Sequence, residues 1–230
     1  MQSSDWQDFI TDITWFVKKD DVVTLGQTER ASPQFFDPDS KFSAAFPRLT
    51  SLLHKARVTE IIVNATTHHL YAWDEAEGRA LGWLCCPPPA DVPDFLHPDH
   101  KLLLRHFGGI TERFNEPQSW LLNLNSALAE YNIGFGGWEE NFRDHCMLYG
   151  LSPIVDMSQF LCFAFEANGN LNAYHLQTGE VIMYAHDHAF DFVIPMEGCP
   201  EYTLYRIKGC ANFRSWIETV AGQWLDVITH

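Results

Sequence analysis

The segment 160–185 reads FLCFAFEANGNLNAYHLQTGEVIMYA and predicts a three-stranded β-meander. Three runs rich in aromatic and aliphatic residues, 160–166, 170–175 and 180–185, are separated by Asn168-Gly169 and Thr178-Gly179. Those dipeptides supply the positive φ angles that short hairpin turns require. The pattern therefore predicts consecutive antiparallel strands, and the rest of the fold is interpreted around them.

Helical patterns flank this meander. Apolar residues recur at helical spacing in two segments: Trp6, Phe9, Ile10, Ile13 and Phe16 in the first, and Phe213, Trp216, Ile217, Val220, Trp224 and Leu225 in the second. Further helices are predicted over 49–55, 98–107, 121–131 and 138–149. Pro98 suits the first turn of its helix, and Gly108-Gly109 suits a left-handed cap at the end of that helix.

Three more strands are predicted over 58–64, 69–73 and 80–84. Their layout resembles the later meander, but the sequence identity is too poor to predict a repeat. Residues 26–48 contain Pro33, Pro38 and Pro47 and predict an irregular packed loop. Segregated strands and helices predict an α+β fold with a central mixed, largely antiparallel twisted sheet and helices packed around it.

The proline run 87–89 marks an internal boundary, because prolines cannot continue a helix or an interior strand. We therefore predict an N-terminal extension over 1–90, made of a helix and three strands that pack on the core. The main domain is predicted over 91–230.

Composition and charge limit the function. The chain has 230 residues, of which 46% are hydrophobic, so it can bury a core. No apolar run is long enough for a membrane helix, and residues 1–6 lack the features of a secretory signal. The six cysteines show no regular spacing, which favours reduced thiols and a cytoplasmic location. The net charge of −15 disfavours nucleic acid and anionic membranes and favours a basic protein partner.

The segment after the meander contains candidate metal ligands: His186, Asp187, His188 and Asp191, with His175 nearby. Histidines and a carboxylate are ligands that a metal hydrolase would need. However, polar residues directly after a strand are typical of a loop, and no second ligand cluster completes the set. We predict no metal and no cofactor, with a metal-dependent hydrolase at His175, His186 and His188 as an alternative. The same interpretation applies to two other histidine pairs, His97 with His100 and His68 with His69.

Other catalytic patterns are not convincing. Cys146 follows His145 directly, which is not how cysteine–histidine pairs are usually built, and Cys199 is interpreted as a structural thiol. The segment 133–137 lacks the spacing of a nucleotide-binding glycine loop. Glu139 and Glu140 start a helix, where the helix dipole accounts for them. We predict that the protein is not an enzyme and has no catalytic residues.

The order of these parts resembles the SUKH superfamily, which includes the yeast cell-wall assembly regulator and many bacterial proteins. The resemblance covers roughly residues 93–225: a helix followed by Gly108-Gly109, helices around Trp138, the meander, the loop 186–191, and a terminal helix with Trp216. It implies a central sheet, no catalytic residues, and Gly108, Gly109, Gly169 and Trp216 as fold-defining positions. Bacterial members are taken to be immunity proteins that neutralise secreted toxins, often nucleases.

The resemblance and the acidic charge together predict a non-catalytic protein-binding module, an immunity-type protein that binds a basic toxin domain. Candidate contact residues are Asp187, Asp191, Glu197 and Glu201, because they cluster in the loop region after the meander. An intracellular regulatory scaffold is the alternative. The partner, its contact face and the oligomeric state stay open.

Overall fold

The computed structural model describes residues 4–30, 33–75, 78–116, 126–166, 168–187 and 190–228. In these ranges it contains six α-helices and an 11-stranded sheet. The helices are α1 (Ser4–Asp12), α2 (Ser40–Ala45), α3 (Pro47–Lys55), α4 (Pro98–Leu104), α5 (Glu139–Leu148) and α6 (Phe213–Leu225). The strands are β1 (Val23–Arg30), β2 (Arg57–Val63), β3 (Thr66–Asp74), β4 (Ala80–Cys85), β5 (Ile110–Phe114), β6 (Ser126–Ile133), β7 (Phe160–Phe165), β8 (Leu171–His175), β9 (Val181–Tyr184), β10 (Val193–Pro195) and β11 (Leu204–Ile207).

The sheet follows chain order from β1 to β9 and then continues with β11 and β10. Every strand pairing among the described residues is antiparallel. The predicted meander is confirmed as β7, β8 and β9, with Cys162 opposite Ala173 and Ala173 opposite Ile182. The α+β class and the largely antiparallel sheet are confirmed as well.

Four helices, α2, α3, α4 and α6, pack on one face of the sheet, which we call the first face. Their apolar residues form a continuous core with strands from β2 to β11. At its centre Trp83 contacts Trp73 and Trp224, with ring centroids 5.1 and 4.8 Å away. Because Trp224 lies on α6 and Trp73 and Trp83 lie on β3 and β4, this core joins distant parts of the chain.

The opposite face, the second face, carries two separate apolar clusters. One forms where Trp6 and Phe9 of α1 meet the strands β2 to β5. The other forms where Phe142 and Cys146 of α5 meet the strands β7 to β11. The pairing of β5 with β6 is limited to a single residue pair, in which Ile110 lies opposite Ala127. The helix α5 therefore lies only over the C-terminal strands, beside the predicted contact loop.

The predicted boundary at residue 90 falls between β4 and β5, which are neighbours in the sheet. Gly82 lies opposite Phe114, and Trp83 lies opposite Arg113. The two-part division stays a prediction. None of the described helices combines the length and the apolar character that a membrane crossing requires.

The predicted irregular loop at 26–48 is wrong in two places. Its first residues belong to β1, which is mostly exposed at the sheet edge and so lacks a strong apolar pattern. Its last part contains α2, whose start is capped where Asp39 accepts a hydrogen bond from the N–H of Phe42 at 2.7 Å.

The predicted helix at 121–131 is also wrong where the structure describes it. Residues 121–125 lie outside the described ranges, and Ser126–Ile133 form β6. Ala127, Leu128 and Ala129 are good helix formers, but the two ends of this segment pair with β7, with Ala127 opposite Ala164 and Ile133 opposite Leu161, and hold it in a strand. Leu128 has a φ of 71° at an irregular position in this pairing, so β6 keeps a local distortion.

The glycines Gly108 and Gly109 do not cap α4, which ends earlier, at Leu104. A Cβ on Gly108 would lie 2.2 Å from the carbonyl oxygen of Pro87. Gly109 has a φ of 90°, and a Cβ there would lie 2.3 Å from the backbone nitrogen of Ala129. Both glycines therefore allow backbone segments to approach one another closely before β5.

Candidate protein-binding surface

The structure brings three of the four predicted contact residues to one end of the C-terminal strands. Burial raises the pKa of Tyr205, and the nearby charges of Glu201 and Asp187 act in the same direction, which places both carboxylates close to this hydroxyl. Glu197 lies in the same loop as Glu201, between β10 and β11, and all three acids are exposed. We call Asp187, Glu197 and Glu201 the acidic group.

Asp191 lies at the other end of these strands. Its backbone carbonyl oxygen accepts a hydrogen bond from Lys208 Nζ at 2.7 Å, and Lys208 directly follows β11. Since β10 begins opposite the end of β11 and finishes near its start, Asp191 and Glu197 stand at opposite ends of β10. Asp191 therefore lies apart from the acidic group, and its role as a contact residue stays a prediction.

The first turn of the meander holds the segment that carries Asp187. Asn168 Nδ2 donates to Asp187 Oδ2 at 2.9 Å, and the N–H of His186 donates to Asn170 Oδ1 at 3.3 Å. Asn170 in turn donates to Glu166 Oε2 at 3.0 Å. These bonds fix the direction in which the Asp187 segment leaves β9.

An aromatic stack supports the same segment from the side of α5. The His186 ring lies parallel to the Trp138 indole at a centroid distance of 4.3 Å, and Tyr184 follows at 5.7 Å from Trp138. The Tyr184 hydroxyl donates to Asn141 Oδ1 at 2.6 Å. Gly169 is required here, because a Cβ would lie 2.5 Å from the Trp138 ring. The stack ties the start of α5 to the segment that carries Asp187.

A group of exposed apolar side chains lies at the end of α5 and in the loop after it. We call it the apolar patch; its members and exposed fractions are Met147 (74%), Leu148 (79%), Tyr149 (59%), Leu151 (38%) and Ile154 (57%). Sequence reasoning missed this patch. The available signal was the run Met147-Leu148-Tyr149, which continues past the buried positions Phe142 and Cys146 of an amphipathic helix.

The apolar patch is continuous with the acidic group. Ile154 Cδ1 lies 3.4 Å from the position of a Cβ on Gly198, so Ile154 packs on the loop between β10 and β11. Cys199 of that loop packs against the apolar cluster that contains Cys146 of α5. The apolar patch and the acidic group therefore form one exposed surface.

The candidate metal ligands do not come together. His175 ends β8 opposite Glu180, and His186 lies two residues after β9, so they stand beyond opposite ends of β9, roughly 20 Å apart. His188 lies outside the described residues. His68 contacts Phe16 and His69 contacts Phe35, on opposite faces of β3. No group of three or more possible ligands that could hold a metal ion occurs in the described ranges.

His97 and His100 are occupied by contacts within the fold. His97 Nδ1 accepts a hydrogen bond from the N–H of Asp99 at 3.3 Å. The buried His100 ring has its Nε2 3.3 Å from the carbonyl oxygen of Leu128, which can only accept, so this nitrogen carries the proton. His100 Nδ1 then accepts from the Tyr174 hydroxyl at 3.0 Å. His100 is thus a neutral residue that links α4 to β6 and β8.

We expect His100 to make the protein sensitive to acid. Burial lowers its pKa to about 4, whereas the unfolded chain takes up the proton near pH 6.5. The unfolded state therefore gains stability as the pH falls from 6.5 towards 4. Between pH 7 and pH 4.5 the wild type should lose roughly 2–3 kcal/mol of unfolding free energy relative to His100→Gln. Urea unfolding of both proteins at the two pH values tests this, and equal losses would contradict it.

The cysteine thiols are not activated. Burial raises the pKa of Cys199 to about 11 and also raises the pKa of Cys146, its neighbour on α5. A nucleophilic cysteine needs the opposite shift, towards the thiolate. All six cysteines are free.

The buried carboxyl group of Glu112 and the partly buried one of Glu116 form a cluster that sequence reasoning did not find. Trp15 Nε1 donates to Glu112 Oε2 at 3.1 Å, and Glu116 pairs with Arg113. Burial raises the pKa of both glutamates to about 7, while Arg113 opposes the shift and Asp12 supports it. They line the junction between α1 and β5, on the second face, far along the sheet from the acidic group. No pattern in β5 distinguished these acids from solvated ones.

No protein-family model matches the chain, and comparisons with curated proteins and with solved structures also find no match. The resemblance to the SUKH superfamily stays a prediction from the sequence.

Proposed function

We propose that this protein is a non-catalytic binding module, an immunity-type protein that neutralises a basic toxin domain by covering it. The observation that carries the proposal is the single surface formed by the acidic group and the apolar patch. Protein interfaces typically combine an apolar centre with a polar rim. Here the centre would be apolar and the rim would be acidic.

The charge of the chain supports the choice of partner. The net charge of −15 attracts a basic domain and speeds the encounter, and a domain that acts on nucleic acid is commonly basic. Part of the surface has a rigid base, because the bonds from Asn168 and Asn170 and the stack on Trp138 hold the segment that carries Asp187. A rigid surface loses less entropy on binding.

The acidic group should contribute directly to binding of a basic toxin domain encoded beside this gene. The triple variant Asp187→Asn, Glu197→Gln, Glu201→Gln should weaken that complex about tenfold or more, mainly through slower association. Titration calorimetry and stopped-flow association rates at two salt concentrations measure both effects.

A triple variant with the same charge change, Asp20→Asn, Glu29→Gln, Asp91→Asn, is the matched control, because these exposed acids lie outside the proposed surface. Asp191→Asn is a second control, since Asp191 stands at the other end of β10. Equal weakening by both triple variants would show that only net charge matters. If no basic neighbour product binds the wild type, the proposal fails.

A further inference from the structure

The apolar patch stands out from the other exposed hydrophobic residues of the described chain. Its members fall within eight consecutive positions, 147–154, whereas Trp15, Val22, Phe95 and Ile194 are exposed at separate places along the chain. Scattered exposed apolar residues are normal on a soluble protein, but contiguous ones mark interaction sites.

A groove runs beside the patch. It has a volume of about 310 Å³ and lies between α5, the start of the loop after β6, and the segment 153–158. Ile133, Pro153 and Val155 give it an apolar part, and Glu139 and Asp156 give it an acidic part. A helix with an apolar face that lies along this surface can contact both the patch and the groove.

The charges around the patch are mostly negative. Glu140, Asp144 and Leu148 follow one another at intervals of four on α5, so both acids share a helix face with a patch residue. Glu197 adjoins Gly198, against which Ile154 packs, and Asp156 lines the groove. Arg143 adds one positive charge. The rim is therefore acidic on both sides of the patch.

We infer that the apolar patch and its groove bind an amphipathic helix with a basic polar face, contributed by the protein partner. This inference rests on the proposed function and specifies the partner's contact element. A second copy of this chain would bring the same acids against the rim, and an anionic membrane would be repelled by them. A basic amphipathic helix matches both the apolar centre and the acidic rim.

The test uses a synthetic 18-residue peptide of leucine and lysine, arranged to form one apolar and one basic helix face, and a scrambled peptide of the same composition. Fluorescence anisotropy with the whole protein should show binding of the amphipathic peptide and much weaker binding of the scrambled one. The double variant Met147→Ser, Leu148→Ser should weaken the amphipathic peptide at least about tenfold. The matched control Phe95→Ser, Ile194→Ser should leave it unchanged, because those residues are exposed elsewhere.

Equal affinity for both peptides, or unchanged binding by the patch variant, overturns the inference. A wild-type dimer in sedimentation that the patch variant dissociates also overturns it, because a second copy would then be the occupant. Binding measurements with the toxin domain distinguish a failure of this inference from a failure of the proposed function. If the acidic-group variant weakens the toxin complex and the patch variant does not, the proposed function is kept and the inferred helix-binding site is rejected. If no toxin domain binds the wild type, the proposed function is rejected, whatever the peptide experiments show.

Discussion

Replacing Arg57 with alanine should cost about 3–5 kcal/mol of unfolding free energy. The guanidinium of Arg57 binds both carboxylate oxygens of Asp5, at 2.9 and 3.1 Å, and also pairs with Asp74. Asp5 is only 2% exposed, so removal of Arg57 leaves a buried carboxylate without its partner. The pairing raises the pKa of Arg57, so the guanidinium stays charged throughout the accessible pH range. Denaturant unfolding at pH 7 measures the loss.

Two further variants identify the cause. Arg206→Ala removes an exposed ion pair with Glu180 and should cost at most about 0.5 kcal/mol. The double variant Arg57→Met, Asp5→Asn removes the buried charge together with its partner and should recover much of the stability lost in Arg57→Ala. A similar cost for Arg57→Ala and Arg206→Ala would contradict the role of the buried carboxylate.

The substitution Gly109→Ala should destabilise the fold by about 3–5 kcal/mol, since it adds backbone strain to a steric collision. Gly109 has a φ of 90°, and its new Cβ would lie 2.3 Å from the nitrogen of Ala129 on β6. The atom that the new Cβ would meet belongs to the backbone, so no side-chain rearrangement can relieve the collision. Thermal unfolding and the yield of folded protein report the effect.

Gly150→Ala is the control for the strain alone. Gly150 has a φ of 67° and no atom within 4 Å of its hypothetical Cβ, so alanine there should cost only about 1–2 kcal/mol. If the two variants lose the same free energy, close packing of Gly109 against β6 does not hold the two halves of the sheet together.

The parts of the fold that could be predicted are those with a strong local pattern. The meander, β2 to β4, α5 and α6 all combine apolar runs or helical periodicity with glycine or proline punctuation. Where long-range pairing decides the conformation, the prediction failed. Ser126–Ile133 contain helix formers but form β6 because β7 lies beside them, and Val193–Pro195 and Leu204–Ile207 are too short to show a strand pattern.

The candidate site could be predicted only in part, for a similar reason. Acids that follow a strand are visible in a sequence, so Asp187, Glu197 and Glu201 can be named as candidates, and the structure shows that they are exposed. The sequence does not show which end of β10 a loop residue occupies, so Asp191 was grouped with them. Nor does hydrophobicity show whether a residue is buried, and so Met147 and Leu148 were interpreted as part of an ordinary helix.

The contact of Trp83 with Trp73 and Trp224 has a consequence for how the protein is made. A ribosome synthesises Trp73 and Trp83 long before Trp224, and the aromatic centre of the first face stays open until α6 is available. Until then the nascent strands expose large apolar side chains to water and to other chains. We therefore expect a chain that ends before α6 to leave this aromatic core incomplete and to aggregate more readily than the full chain.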